Sequence, residues 1–168
     1  SEGQKQRVAL AKALAGDPEI ILLDEPFSHI DSFKKRPLRR ELFKYLKSKK
    51  IACVVATHDK NDVFSFANNL FVLQEGKALA SGPPDVLFKN PQHASVAAFF
   101  SEHNCIDGHI YYAHQIRLTS NGPFKARVVK SFFRGRCFMI EAAYKDNVIF
   151  FEHSDSLISG AEVFLSFS

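Results

Sequence analysis

Tryptophan is absent from the 168 residues, and methionine occurs once, at Met139. A single methionine so far inside the chain leads us to expect that residue 1 is not a natural start. Cysteine is scarce: Cys53, Cys105 and Cys137 are widely spaced and form no C-x-x-C pair. That excludes the usual signatures of a disulfide framework and of a zinc site, and it fits a reducing, cytoplasmic setting. No apolar run approaches the roughly 18 residues that a membrane span requires, and no signal peptide is recognisable. Any work at a membrane is therefore expected to run through partners. Also missing is G-x-x-x-x-G-K-[ST], the loop whose main-chain N–H groups and lysine cradle nucleotide phosphates.

What remains is an ordinary globular composition, 46% hydrophobic and 24% charged, with 17 phenylalanines. The length suits one domain or two small ones. The net charge is +4, and much of the positive excess lies between Lys34 and Lys50. Such a run can attract phosphates or an anionic membrane surface; a solvated helix face is the simpler expectation.

The most informative stretch is Ile20-Ile21-Leu22-Leu23-Asp24-Glu25-Pro26. Four aliphatic residues without alternation predict a strand buried on both faces of a parallel sheet, with two carboxylates at its carboxyl end. Open α/β sheets place their ligands at that end. One carboxylate there can hold a hard cation such as Mg²⁺, and the next can orient or deprotonate a water. On this stretch alone, a core strand with a capping Asp-Glu-Pro turn is an equal alternative.

The flanking residues add weight. Ser1-Glu2-Gly3-Gln4-Lys5-Gln6-Arg7 leads into the helix-forming run Val8 to Ala15, stopped by Gly16-Asp17-Pro18. A hydroxyl, a close-approach glycine and a helix N-terminus together suit a phosphate, although a plain N-cap has the same look. Phe27-Ser28-His29-Ile30-Asp31 reads as a polar turn before an amphipathic helix, with Leu38, Leu42, Tyr45 and Leu46 at helical spacing and Pro37 about one turn in. A second buried strand, Ile51 to Thr57, ends in His58-Asp59.

A Ser-x-Gly-Gln-x-Gln-Arg segment, a strand ending Asp-Glu-Pro, a Ser-x-x-Asp turn, a basic helix and a strand ending Thr-His-Asp occur in this order. The arrangement resembles the carboxyl-terminal half of an ABC transporter ATPase subunit, where the motifs are called the signature motif, Walker B, the D-loop and the switch histidine. Residues 67–88 are similar to the segment that follows the switch histidine in ATPases of bacterial importers, and residues 93–100 would form a last helix.

Composition changes near residues 101–104. Beyond them, short aromatic or β-branched runs at 110–112, 126–129, 137–140, 148–151 and 163–165 are separated by Gly122-Pro123, Gly135, Asp146-Asn147 and Gly160, which predicts a small antiparallel barrel. Such a tail resembles the OB-like TOBE domain carried by ATPases of importers for iron, polyamines, sulfate, molybdate and sugars. Tyr112-Ala113-His114-Gln115 and Ile116-Arg117-Leu118 stand where that family usually carries an Arg-Pro-Glu-Asp stretch, so the regulatory contacts of that stretch do not carry over. The expected fold is thus α/β, the carboxyl-terminal part of a P-loop NTPase domain over residues 1–101, followed by an OB-like β-barrel over 105–168.

The resemblance implies roles. Asp24 helps hold Mg²⁺, Glu25 is the general base for the attacking water, and His58 meets the γ-phosphate of ATP. Ser1, Gly3 and Gln4 contact the γ-phosphate of ATP held mainly by a second, identical subunit, with Glu2 at a position where the family has glycine. Asp31 communicates across the dimer. The implied function is an ATP-hydrolysing subunit that energises an importer, peripheral on the cytoplasmic face of the membrane. Its implied partners are permease subunits, a second ATPase subunit and, indirectly, a substrate-binding protein; nucleic acid is not expected. Lacking a phosphate loop, this polypeptide is expected to be the carboxyl-terminal part of a longer subunit and to hydrolyse negligible ATP alone. The competing readings are a soluble non-transport ABC ATPase and a non-enzymatic module that senses a small anion.

Overall fold

The computed structural model describes residues 2–167, with the main chain alone at Glu2 and Ser32. The chain divides into two compact units, the first ending at Asn68 and the second starting at Asn69. The composition change at residues 101–104 falls inside the second unit.

The first unit opens with α1 (Glu2–Leu14), whose alanine- and leucine-rich body ends as Asp17 takes a left-handed conformation (φ 45°). β1 (Ile20–Asp24) and β2 (Ala52–Ala56) form a two-stranded parallel sheet in the register Ile20 to Ala52 through Asp24 to Ala56. Parallel neighbours need a crossover, and α2 (Ser32–Lys49) supplies it. α3 (Lys60–Phe66) follows, with the Asp59 carboxylate accepting the Asn61 N–H as an N-cap.

The core of this unit gathers Ile21, Phe27, Leu42 and Leu46, with Leu10 and Leu14 of α1 and Leu23 and Cys53 of the strands packed around them. α1 and α2 cover one face of the sheet only. The expectation of strands buried on both faces is therefore corrected: Ile20, Leu22 and Val54 are 56%, 73% and 57% exposed. A run of four aliphatics specifies a strand able to be buried twice; whether a second layer covers it is decided by elements elsewhere in a chain.

The second unit begins with the hairpin β3 (Leu70–Gln74) and β4 (Lys77–Gly82). Its two-residue turn, Glu75-Gly76, has both φ values positive, 51° and 74°, as a type I′ turn requires. α4 (Pro84–Lys89) and α5 (Ala94–Phe100) come next. Phe88 of α4 stacks on Tyr112 at 4.7 Å and on His114 at 5.9 Å, and meets Phe100 edge-on at 5.6 Å.

β5 (His103–Ile106) and β6 (His109–Tyr112) form a second hairpin. A 3₁₀ turn, Ala113–Gln115, leads to β7 (Ile116–Thr119), β8 (Phe124–Phe133), β9 (Phe138–Tyr144), β10 (Asn147–His153) and β11 (Glu162–Phe167). The last five make one antiparallel sheet in the order β10-β9-β8-β11-β7. Alternate residues such as Ala126 and Val128, Ile140 and Ala142, Ile149 and Phe151, and Val163 and Leu165 build its core.

No closed barrel is found among the described residues, which corrects the expected closure. β10 and β7 are the two edges of the sheet. At the β10 edge the side chain of Asn104 stands in for a strand: its amide N–H donates to the Phe150 carbonyl at 2.8 Å, and its carbonyl accepts the Phe150 N–H at 2.7 Å. Asn104 is 6% exposed, so a single buried amide supplies there the pairing that ladder closure would have given.

Candidate active site

The parallel register of β1 and β2 brings the two strand ends side by side, and the polar residues following each strand meet there. Just past β1, Glu25 adopts a left-handed conformation (φ 45°), and its N–H donates to the Ala56 carbonyl at 2.9 Å. For a residue with a Cβ this conformation costs roughly 1–2 kcal/mol, and it turns the carboxylate toward β2. There the main-chain N–H of His58 donates to Glu25 Oε1 at 3.1 Å, and His58 Nδ1 lies 2.5 Å from the same oxygen. A carboxylate only accepts, so the ring nitrogen facing it carries the proton and Nε2 is left to meet a ligand. The His58 side chain is 80% exposed and that of Glu25 35%. This is an accessible acid–base pair in which, among the described residues, one carboxylate oxygen is committed and the other is not.

Asp24, the last residue of β1, is exposed beside this pair. Among the described residues no three metal-ligating side chains converge. A single carboxylate nevertheless suits Mg²⁺, which keeps most of its ligands as waters and substrate phosphates.

The other expected binding residues meet elsewhere in the first unit. Gly3, Gln4 and Arg7 of α1 face His29, Asp31 and Phe33 across a cleft of about 430 Å³. Gly3 is there for close approach: a Cβ at this position would lie 2.6 Å from the His29 carbonyl oxygen. The turn is tied back to both sides, with Ser28 Oγ donating to the Glu25 carbonyl at 3.0 Å and Gln6 Nε2 reaching Ser28 Oγ at 3.5 Å. Asp31 precedes α2 without a side-chain capping bond, its carbonyl accepting the N–H groups of Lys34 and Lys35. Ser1 lies outside the described residues, as does the side chain of Glu2.

Sequence reasoning missed the polar network behind His58. Arg39, 5% exposed, donates from Nη2 to Asp59 Oδ2 at 2.9 Å and pairs through Nε with Asp62 Oδ1, while its guanidinium lies 5.4 Å from the Phe27 ring centroid. Lys35 Nζ reaches the same Asp59 oxygen at 2.9 Å. Thr57 Oγ1 donates to Asp62 Oδ2 at 2.7 Å and accepts the Asp59 N–H at 3.0 Å. Burial alone would raise the Asp59 pKa, but hydrogen bonds from Lys35 and Asn61 and the Lys35 charge outweigh it and hold the carboxyl well below the usual range. The residues on either side of His58 are thus fixed, Asp59 by charge-assisted bonds to Lys35 and Arg39 of α2 and Thr57 by its hydrogen bond to Asp62 of α3. One signal was available: Arg39 shares helical spacing with Leu42 and Leu46, which marks it as part of the buried stripe.

The family described as ABC transporter matches residues 1–28. The Fe(3+) ions import ATP-binding protein FbpC of Haemophilus influenzae (strain 86-028NP) is 40% identical over 102 residues, which are 61% of this chain and 29% of that protein. The sulfate/thiosulfate import ATP-binding protein CysA of Caulobacter vibrioides is 36% identical over 126 residues, 75% of this chain and 34% of that protein. The chain therefore spans about a third of the curated relatives it matches. The crystal structure of UvrA2 from Deinococcus radiodurans aligns with 90% of this chain and 17% of its own length, at a TM-score of 0.49 and 21% identity. On its motifs, on the strand ends that carry them and on the alignments with import proteins, the chain resembles an importer-type ABC transporter ATP-binding subunit.

Proposed function

We propose that the chain is the carboxyl-terminal part of an ATP-hydrolysing subunit that energises a membrane importer. The observation that carries the reading is the Glu25–His58 pair, in which a main-chain N–H and a ring nitrogen both engage Glu25 Oε1 at the ends of adjacent parallel strands. In this reading Glu25 uses its other oxygen to orient and deprotonate the attacking water, and His58 presents Nε2 to the γ-phosphate. Asp24 would help hold Mg²⁺, which when bound neutralises phosphate charge. Ser1, Gly3 and Gln4 meet the γ-phosphate of ATP held by a second subunit, and Asp31 lies at that subunit boundary. Residues 1–101 would belong to the ATPase domain and residues 105–168 to a TOBE-like tail. The partners would be permease subunits and, through them, a substrate-binding protein, with the subunit peripheral on the cytoplasmic face; among the described residues no helix is long and apolar enough to cross a membrane.

The nucleotide cradle must come from elsewhere, since no phosphate-loop motif occurs in the sequence. The purified chain is expected to show no measurable ATP turnover. Joined to the phosphate-loop half of an iron-import relative, it is expected to hydrolyse ATP, and Glu25→Gln should lower kcat by about 10²- to 10⁴-fold. Turnover that survives Glu25→Gln unchanged would remove Glu25 as the base, and turnover by the chain alone would contradict the division of the site.

A further inference from the structure

α2 holds eight lysines and arginines against one acid, Glu41, a net +7 within a chain whose total is +4. The remainder of the molecule is therefore net negative, and the positive charge is concentrated on one element. Lys35 and Arg39 are consumed by Asp59 and Asp62, and Lys34 stands 4.0 Å from Asp31. Arg36, Arg40, Lys44 and Lys47 fall at i, i+4, i+8 and i+11, on one side of the helix. All four are exposed, and among the described residues none has an ion-pair partner. Phe33, three residues before Arg36 on the same side, is 92% exposed.

Like charges at this spacing repel one another, so the stripe weakens its own helix and gains only when an anion faces it. From Arg36 to Lys47 it runs about 16 Å along the axis, too far for one phosphate group. The side chains radiate from a convex helix and do not converge on a pocket, which suits an extended anionic surface. A phenyl ring with no polar atom, set at one end of the cations, suits insertion beneath a layer of headgroups. A nucleic-acid strand would call for a groove with aromatic platforms along it, and this face has one ring at its end.

We propose that this face of α2, Phe33 with Arg36, Arg40, Lys44 and Lys47, docks on the anionic surface of a lipid bilayer. The proposal goes beyond the ATPase reading and stands without it. The test is sedimentation of the chain with phosphatidylcholine vesicles containing roughly a third phosphatidylglycerol, at about 0.05 M salt where exposed charges are weakly screened. The chain is expected to bind these vesicles, to ignore pure phosphatidylcholine, and to be released at about 0.5 M salt. Each cation removed should weaken binding by about fivefold, so Arg40→Glu with Lys44→Glu should weaken it by at least about 25-fold. Lys77→Glu with Arg134→Glu makes the same change in net charge away from the stripe and should cost less than about fivefold. Circular dichroism should show unchanged helix content in both variants. Failure to bind, equal binding to neutral vesicles, or equal loss in the two variants would overturn the proposal. Tighter binding to duplex DNA than to the vesicles at the same salt would also overturn it, making the stripe a nucleic-acid face.

Discussion

Arg39 shows how much a single residue decides in the first unit. Its side chain is 6% exposed, and the Asp62 side chain that it meets is 4% exposed. Removing one member of such a buried pair leaves its partner's charge uncompensated, so Arg39→Met is expected to destabilise the chain by about 3–5 kcal/mol. Arg39→Lys should lose less but not nothing, because an ammonium cannot reproduce the fork that reaches Asp59 and Asp62 together. Urea midpoints at neutral pH measure both. The same cluster sets an acid limit. Asp59 has its pKa lowered in the folded chain, with burial opposing and the Lys35 and Asn61 contacts prevailing. A carboxylate depressed below its unfolded value of about 3.9 contributes stability that is present above that pH and is lost as the pH falls toward the folded value. The urea midpoint should therefore drop steadily on acidification below about pH 5, and Asp59→Asn, less stable at neutral pH, should flatten that part of the curve. A profile as steep in the variant as in the parent would assign the acid sensitivity to other carboxylates.

At the scale of elements, the chain could be read where local signals suffice and not where partners are distant. Both parallel strands, the stop of the first helix and the breaks between the late strands at Gly135, Asp146-Asn147 and Gly160 follow from residue type, because an aliphatic run or a turn-forming residue acts on its own neighbours. The basic helix reads as a solvated face because its charges dominate the composition, whereas the burial of Arg39 depends on Asp59 and Asp62 arriving from beyond β2. Glu25 and His58 could be named from their motifs, yet their contact needed the parallel register. Closure of the barrel is set by a similar distant term: strand count and spacing are local, and although the two edge strands β10 and β7 come close to one another, no hydrogen-bonded ladder joins them among the described residues. Asn104 makes the point testable. Asn104→Ala leaves the Phe150 N–H and carbonyl without their partner, at about 1–3 kcal/mol for each buried group. Amide exchange at Phe150 should accelerate in this variant far more than exchange along the β8–β9 ladder. Equal acceleration at both would mean that Asn104 acts through global stability alone.

Across the whole molecule, the two units differ in how completely their sheets are covered. In the second unit, Ile140, Phe151 and Leu165 are fully buried at 0% exposure and lie on three different strands of one sheet. In the first, β1 and β2 present Ile20, Leu22 and Val54 to solvent, so each strand gains burial from one face only. Apolar burial contributes roughly 25 cal/mol per Å², and a strand stabilised on one face opens at lower free energy than one packed among covered neighbours. Amide exchange of the intact chain under native conditions should therefore separate the units. Protection at Ile140 and Ala142 is expected to exceed that at Leu22 and Val54 by at least about tenfold, a difference of about 1.4 kcal/mol in opening free energy. Lowering the pH toward 4 should widen the gap, because the Asp59 network that weakens on acidification belongs to the first unit. Equal protection in the two sheets would mean that the open face of β1 and β2 carries no energetic penalty and that the chain opens as one cooperative body.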